Sequence, residues 1–140
     1  MDKQVLDELI KTALSMRKMS YTPYSHFNVG AALLAANGKI YTGCNIENAA
    51  FTPTNCAERT AFFKAVSEGV KEFTAIVITG GMEDAKELDY CPPCGVCRQV
   101  MSEFCTDEFK IILAKSETEY ITYTLPEILP MRFGPKDLLG

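Results

Sequence analysis

Residues 27–44, FNVGAALLAANGKIYTGC, form the segment that decides the fold. Residues 27–36 are almost continuously apolar, which predicts a mostly buried strand. Asn37-Gly38 is the strongest short signal for a hairpin turn, and residues 40–44 are then predicted to be the returning strand. This segment therefore predicts an antiparallel hairpin.

Helices are predicted on both sides of this hairpin. Residues 3–18 place apolar side chains at three- and four-residue spacing, which is typical of an amphipathic helix. These side chains are Leu6, Leu9, Ile10, Ala13 and Leu14. Residues 56–68 predict a second helix with Gly69 as its C-cap, and residues 97–104 show a third helical face.

Further strands are predicted at residues 73–79, 109–114 and 120–123. Gly80-Gly81 is expected to end the first of them, 125–129 to form one helical turn, and 130–140 to be irregular. Helices that alternate with strands indicate a layered α/β domain around one sheet. About five strands should form a mixed sheet, because hairpins are antiparallel and strand–helix–strand units are parallel.

Composition narrows the functional classes. The 140 residues suit a single domain, 1–140, and 47% hydrophobic with 23% charged residues is globular rather than disordered. A net charge of −4 disfavours non-specific nucleic-acid binding. No apolar run approaches the roughly 18 residues of a membrane span, and the first residues show no signal-peptide pattern. We therefore expect a cytoplasmic protein that binds neither membranes nor nucleic acid.

The six cysteines are the unusual feature of the composition. In a reducing compartment, clustered cysteines indicate a metal site or chemistry more often than disulfides. Cys94 and Cys97 form a C-x-x-C where one helix begins, and Cys56 lies at the start of another. Helix N-termini favour thiolates, and three protein ligands with one open position are typical of catalytic zinc. Because His26 is the only histidine, any metal site that these residues form must consist mostly of thiolates.

Two alternatives to this catalytic site are open. Cys91 and Cys94 form a second C-x-x-C, so Cys91 could complete a structural zinc site with four cysteines. However, Cys91 precedes two prolines in extended chain and is expected to point elsewhere. The other alternative is a chance C-x-x-C of buried thiols. We interpret Cys44 and Cys105 separately, as core thiols of a strand and a helix.

Glu58 strengthens the catalytic interpretation. It follows Cys56 by two residues, so both side chains can reach one metal only at the open end of a helix. A carboxylate beside a metal-activated water can shuttle protons. The alternative is a solvated glutamate in the first helical turn, favoured by the helix dipole.

The two cysteine segments resemble a known family. Residues 56–61, CAERTA, and 93–100, PCGVCRQV, are similar to the two zinc motifs of cytidine deaminases of the small, three-cysteine, homotetrameric type. Residues 24–32, YSHFNVGAA, and 43–49, GCNIENA, also resemble family segments, and the similarity runs from about residue 5 to 137. It implies a three-layer α-β-α fold around a five-stranded mixed sheet.

The resemblance also implies an activity. Cys56, Cys94 and Cys97 would hold one Zn²⁺ per subunit, and a zinc-bound hydroxide would attack C4 of cytidine or deoxycytidine. Glu58 would move the protons. The products would be uridine or deoxyuridine and ammonia, a reaction of pyrimidine salvage.

The same resemblance implies how the nucleoside would bind. Asn45 and Glu47 resemble a ribose-binding pair, and Phe27 resembles an aromatic that lies against the base. The N–H of Ala57 would contact the base carbonyl, and the carbonyl of Pro92 would accept from the exocyclic amine. Pro92 stands where the family commonly has a small hydroxyl residue, but a backbone carbonyl survives that change. Without the family, the pair is a turn asparagine with a surface acid, and Phe27 a core residue.

Oligomerisation and charge compensation complete the expected site. Phe51 and Phe133 resemble aromatics that reach a neighbouring subunit's site, which implies a homotetramer with shared active sites.

Three thiolates on Zn²⁺ leave a charge of −1, and Arg59 lies three residues after Cys56 on the same helix face. We expect Arg59 to tune the charge by donating to a thiolate. The alternative is a helix-surface arginine.

Two other functions fit the sequence less closely. One is a deaminase of a modified cytosine nucleoside, such as a nucleoside antibiotic. The other, from a different class, is a small structural-zinc module that binds a protein partner. The second requires Cys91 as a ligand and makes Glu58 dispensable.

Overall fold

The computed structural model describes residues 1–140 and begins with a helix and a hairpin. In chain order the elements are α1 Lys3–Met16, β1 Phe27–Ala35, β2 Ile40–Cys44, α2 Ala57–Ser67, β3 Phe73–Met82, α3 Gly95–Phe104, β4 Lys110–Ala114, β5 Tyr120–Thr124, α4 Leu125–Ile128 and α5 Lys136–Leu139. A 3-10 turn, Arg17–Met19, follows α1. None of these helices is both long enough and apolar enough to cross a membrane.

The strands form one five-stranded sheet in the order β2-β1-β3-β4-β5. β1 pairs antiparallel with both β2 and β3, β3 pairs parallel with β4, and β4 pairs antiparallel with β5. β2 and β3 therefore run in the same direction on either side of β1. The predicted mixed sheet, with an antiparallel hairpin and parallel strand–helix–strand units, is confirmed.

Helices cover both faces of the sheet. On one face, α1 packs with buried Ala75 and Val77 of β3. On the other face, α2 and α3 pack with Ile76 and Ile78 of the same strand. Successive side chains of a strand point to opposite faces, so a strand with helices on both sides is apolar throughout. The predicted three-layer α-β-α arrangement is confirmed.

The structure extends two segments beyond the prediction. β3 continues through Gly80 and Gly81 to Met82, because these residues pair with the beginning of β1. The tail is not wholly irregular: α5 forms at its end, and the Asp137 carboxylate accepts from the backbone N–H of Gly134. That contact satisfies a donor just before the helix.

Two glycines let helices touch the sheet. A Cβ on Gly30 of β1 would lie 2.0 Å from the carbonyl oxygen of Ala13 in α1. A Cβ on Gly43 of β2 would lie 2.1 Å from the carbonyl oxygen of Ala57 in α2. The beginning of α2 therefore rests directly on the backbone at the end of β2.

Candidate metal centre and active site

Two helix N-termini bring three thiols together. Cys56 is the N-cap of α2, Cys94 is the N-cap of α3, and Cys97 lies in the first turn of α3. The Sγ atoms of the three residues lie within 4.8 Å of one another. The sulfurs of the two N-cap residues make no capping hydrogen bond, so they are available to a metal. Both helix dipoles favour thiolates here.

The thiols influence one another's ionisation. The pKa of Cys56 is lowered to about 5 by a hydrogen bond with Cys97, helped by hydrogen bonds with Arg59 and Cys94. The same hydrogen bond, together with burial, raises the pKa of Cys97. The cluster thus favours a thiolate at Cys56. Three sulfur ligands at this spacing fit Zn²⁺, which accepts thiolates and tetrahedral geometry.

Glu58 is buried beside the cluster, with 4% of its surface exposed. Burial raises the pKa of its carboxyl group to about 7. A carboxyl group in that range can both take up and release a proton near neutral pH. A solvated first-turn glutamate, the alternative interpretation of this residue, does not fit its burial.

Arg59 reaches the cluster from the same helix. Its Nη2 donates to Cys56 Sγ at 3.3 Å. Burial would lower the pKa of this guanidinium, but hydrogen bonds to Cys56 and Cys97 raise it. Its Nε is buried without a hydrogen-bond partner, so the side chain does not point into solvent as a helix-surface arginine would. Positive charge therefore lies against the thiols.

Cys91 lies outside the three-thiol cluster. Its Sγ packs against Gly80, where a Cβ would come within 2.6 Å of the sulfur. Burial raises the pKa of Cys91 to about 11, which disfavours a thiolate. This geometry does not support a structural site of four cysteines. Cys44 and Cys105 are both buried, as expected for core thiols.

A hollow of about 400 Å³ is lined by residues from two loops, namely Tyr24, Ser25, Glu47, Phe51 and Thr54. Glu47 and Phe51 are therefore brought together within one chain. The rings of Tyr24 and Phe51 meet edge to face, with centroids 6.1 Å apart. Phe51 is 71% exposed and has a φ of 62°. Such a backbone conformation is uncommon for a bulky residue.

Asn45 binds the first residues of β1. Its Oδ1 accepts from the N–H of Val29 at 2.9 Å, and its Nδ2 donates to the carbonyl of Phe27 at 2.8 Å. The amide thus fixes the backbone around the Phe27 ring, which is 37% exposed. One lone pair on Oδ1 and one N–H on Nδ2 stay available.

Glu47 binds the turn just before β1. Its Oε1 accepts from the N–H groups of Tyr24 and Ser25, both at 3.1 Å. Its Oε2 accepts from the Ser25 hydroxyl. Sequence reasoning assigned no role to Ser25. The sequence feature that could have indicated a role is the position of Ser25 in a turn after Pro23, because serine hydroxyls in turns commonly form hydrogen bonds with neighbouring groups.

The other predicted site residues are not all gathered at this hollow. Ala57 is buried in the first turn of α2, next to Cys56 and Glu58. Pro92 is exposed in the extended segment before α3. Phe133 is 60% exposed on the tail, where its carbonyl accepts from Gln99 Nε2 at 2.7 Å. Pro92 and Phe133 are not among the residues that line the hollow.

Comparison with known proteins places these features in context. Residues 3–113 match the family model described as the cytidine and deoxycytidylate deaminase zinc-binding region. The chain is 46% identical to a cytidine deaminase of Sporosarcina psychrophila, covering 95% of this chain and 94% of the relative. It is also 46% identical to a cytidine deaminase of Halalkalibacterium halodurans, covering 99% and 98%. The crystal structure of a cytidine deaminase from Burkholderia pseudomallei superimposes with a TM-score of 0.82 at 38% identity, covering 95% of this chain and all 100% of that one.

Proposed function

The chain belongs to the cytidine and deoxycytidylate deaminase family, and from this premise we propose that it deaminates cytidine and deoxycytidine hydrolytically. The products are uridine or deoxyuridine and ammonia, in pyrimidine salvage. The observation that carries this proposal is the buried Glu58 beside a cluster of three thiols.

Cys56, Cys94 and Cys97 hold one zinc ion per subunit. Three protein ligands leave a fourth position open, as in other catalytic zinc sites. When bound there, zinc supplies Lewis acidity, which lowers the pKa of a water molecule and makes it a nucleophile towards C4 of the ring. Arg59 donates to Cys56 and offsets part of the negative charge of the thiolates.

Glu58 moves the protons of the reaction. Its carboxylate takes a proton from the attacking water and delivers it to ring N3. It then takes the remaining proton of that water from the hydroxyl on C4 and delivers it to the amine, so that ammonia leaves as the C4 carbonyl forms. Burial supports this role, because it raises the pKa of Glu58 to about 7, where both protonation states are accessible. The N–H of Ala57 donates to the base carbonyl from the open first turn of α2, and the Pro92 carbonyl accepts from the amine.

The base and sugar are recognised on the β1 side. The half-exposed ring of Phe27 lies against the base, and Asn45 and Glu47 bind sugar hydroxyls through their remaining hydrogen-bonding positions. An amide and a carboxylate together can both donate to and accept from a hydroxyl. The negative charge of the Glu47 carboxylate would repel a phosphate group on the sugar, which favours a free nucleoside as substrate.

The chain assembles as a homotetramer in which neighbouring subunits share sites. Phe51 and Phe133 are large apolar side chains that are 71% and 60% exposed. Aromatic side chains are more frequent at protein–protein interfaces than on the rest of a protein surface. Burial of Phe51 and Phe133 against a neighbouring subunit would explain why both side chains are exposed in a single chain.

The direct test is an ultraviolet assay of the zinc-loaded protein with cytidine and deoxycytidine, following loss of the aminopyrimidine absorbance. We expect turnover of both, and loss of turnover when a chelator removes zinc. Turnover confined to a modified cytosine nucleoside would replace the proposed substrates. A folded, zinc-loaded protein that deaminates no cytosine nucleoside would favour a structural zinc site.

A further inference from the structure

The Ser25 hydroxyl connects two residues of the proposed nucleoside site. It donates to Glu47 Oε2 and accepts from the backbone N–H of Phe27 at 3.0 Å. Together with the N–H groups of Tyr24 and Ser25, it gives the Glu47 carboxylate three donors from one turn. The contacts with Glu47 span 22 or 23 residues of sequence, so they fix the β2–α2 loop relative to the turn before β1.

The geometry leaves a defined set of hydrogen-bonding positions open. A carboxylate has about four acceptor positions, and three of those on Glu47 are filled from the turn. The fourth is on Oε2, the oxygen that the Ser25 hydroxyl holds. Asn45 contributes one further acceptor position and one N–H. Glu47 and Ser25 both line the hollow.

Resting on the proposed function, we propose that Ser25 is a positioning residue for nucleoside recognition. Its hydroxyl sets the rotamer of Glu47, so that one Oε2 acceptor position meets a sugar hydroxyl. Through the same oxygen it holds the backbone of Phe27, so the base and the sugar are placed by one side chain. The ligand class is a nucleoside with a free 2′ or 3′ hydroxyl.

The charge at Glu47 is consistent with this arrangement. The hydrogen bond from the Ser25 hydroxyl is the largest cause that lowers the pKa of Glu47, and the backbone N–H groups of Ser25 and Tyr24 lower it further. An ionised carboxylate accepts hydrogen bonds but donates none. It therefore selects ligands that present a hydroxyl donor.

The test compares substrates with and without those hydroxyls. In Ser25→Ala we expect KM for cytidine to rise about tenfold with little change in kcat. Without the Ser25 hydroxyl the Glu47 carboxylate is no longer held in place, so its hydrogen bond with the sugar hydroxyl is weakened. KM for 2′,3′-dideoxycytidine should rise less than KM for cytidine, because this substrate lacks the sugar hydroxyls and is affected only through the Phe27 backbone contact. Ser25→Thr, which keeps the hydroxyl, should restore KM for cytidine. Ser20→Ala is the matched control, because its hydroxyl donates to the Val29 carbonyl at 3.2 Å and does not contact Glu47.

An equal change in KM for both substrates, or no change for either, would overturn the role of Ser25. Calorimetric titration with uridine and 2′,3′-dideoxyuridine separates this result from a failure of the proposed function. If the wild-type protein does not deaminate cytidine but binds uridine more tightly than its dideoxy analogue, the proposed function fails. The role of Ser25 then stands if Ser25→Ala abolishes that preference and falls if the preference persists. A protein that binds neither nucleoside would overturn both.

Discussion

At the scale of single residues, Arg59 is the clearest case of charge compensation. Its Nη2 lies 3.3 Å from Cys56 Sγ, within a cluster that carries a net negative charge when zinc is bound. We predict that Arg59→Gln lowers kcat about tenfold at equal zinc content, the lower end of effects reported for residues that support metal ligands. Turnover should be measured beside metal analysis of the same preparation.

A matched control for this variant lies on the same helix. Lys64 also belongs to α2, but its Nζ donates to the Thr42 hydroxyl at 2.9 Å, away from the cysteines. Lys64→Gln should leave kcat unchanged. An Arg59→Gln enzyme as active per zinc as the Lys64→Gln enzyme would show that Arg59 has no role in tuning the site.

Glu47 gives a prediction of pH dependence. Its pKa lies below the ordinary value of 4.5, chiefly because the Ser25 hydroxyl donates to it, so the carboxylate stays ionised as pH falls towards 4.5. The titration of Glu47 should therefore cause no rise in KM for cytidine from neutral pH down to that value. In Ser25→Ala the pKa moves back up, so the acid rise in KM should begin at higher pH. Zinc content measured at each pH serves as the control, and identical profiles for both proteins would contradict the prediction.

Sequence and structure agree at some residues for identifiable reasons. The spacing of Cys56, Cys94 and Cys97 already indicates helix starts, and the helix starts are what bring the sulfurs together. Ser25 could not be assigned in this way, because its contact with Glu47 depends on how two distant loops meet. The burial of Glu58 likewise depends on the packing of α2, which its sequence neighbours do not reveal.

At the scale of elements, Gly43 determines how closely α2 approaches the sheet. A methyl group there would lie 2.1 Å from the Ala57 carbonyl and 2.8 Å from the backbone N of Ala61, so Gly43→Ala must push the beginning of α2 outward. We predict a loss of about 1–3 kcal/mol of stability from overpacking. Zinc affinity should also fall about tenfold, because Cys56 is the N-cap of that helix.

Gly30 offers the matched substitution on the opposite face. A Cβ there meets the Ala13 carbonyl of α1 at 2.0 Å, a clash of the same kind, but α1 carries no zinc ligand. Gly30→Ala should cost similar stability in denaturant unfolding and leave zinc affinity, measured by competition with a chelator, unchanged. Equal zinc affinity in the two variants would contradict the role assigned to Gly43.

The predicted elements agree with the structure where periodicity is strong and differ where tertiary contacts intervene. The helical spacing of α1 and the hairpin at Asn37-Gly38 are local features, and both are found. Gly80-Gly81 is a poor strand sequence by itself, yet pairing with β1 extends β3 to Met82. The short α5 is accompanied by a local contact, because the Asp137 carboxylate accepts from the backbone N–H of Gly134.

At the scale of the whole molecule, shared active sites predict complementation between two inactive variants. Glu58→Ala removes the proposed proton shuttle, and Phe133→Ala removes an aromatic proposed to reach a neighbour's site. Each variant by itself, in the proposed homotetramer, should be impaired. Subunits of the two variants, co-expressed and purified together, should regain activity, because some sites combine an intact Glu58 with a partner that keeps its tail aromatic.

The assembly itself should be measured by sedimentation before the complementation assay. A tetramer with restored activity in the mixture supports shared sites. A monomer with full activity at micromolar concentration, or a mixture no more active than the average of its parents, would contradict them.

The central claim is that Glu58, buried beside the three thiols, moves the protons of a zinc-dependent deamination. The most direct measurement is the ultraviolet assay of Glu58→Ala with cytidine, at zinc content matched to the wild-type protein. The account predicts that kcat falls by about 10²–10⁴-fold, the usual contribution of general acid–base catalysis, while zinc stays bound. A Glu58→Ala protein that keeps its zinc and deaminates cytidine at the wild-type rate would contradict it.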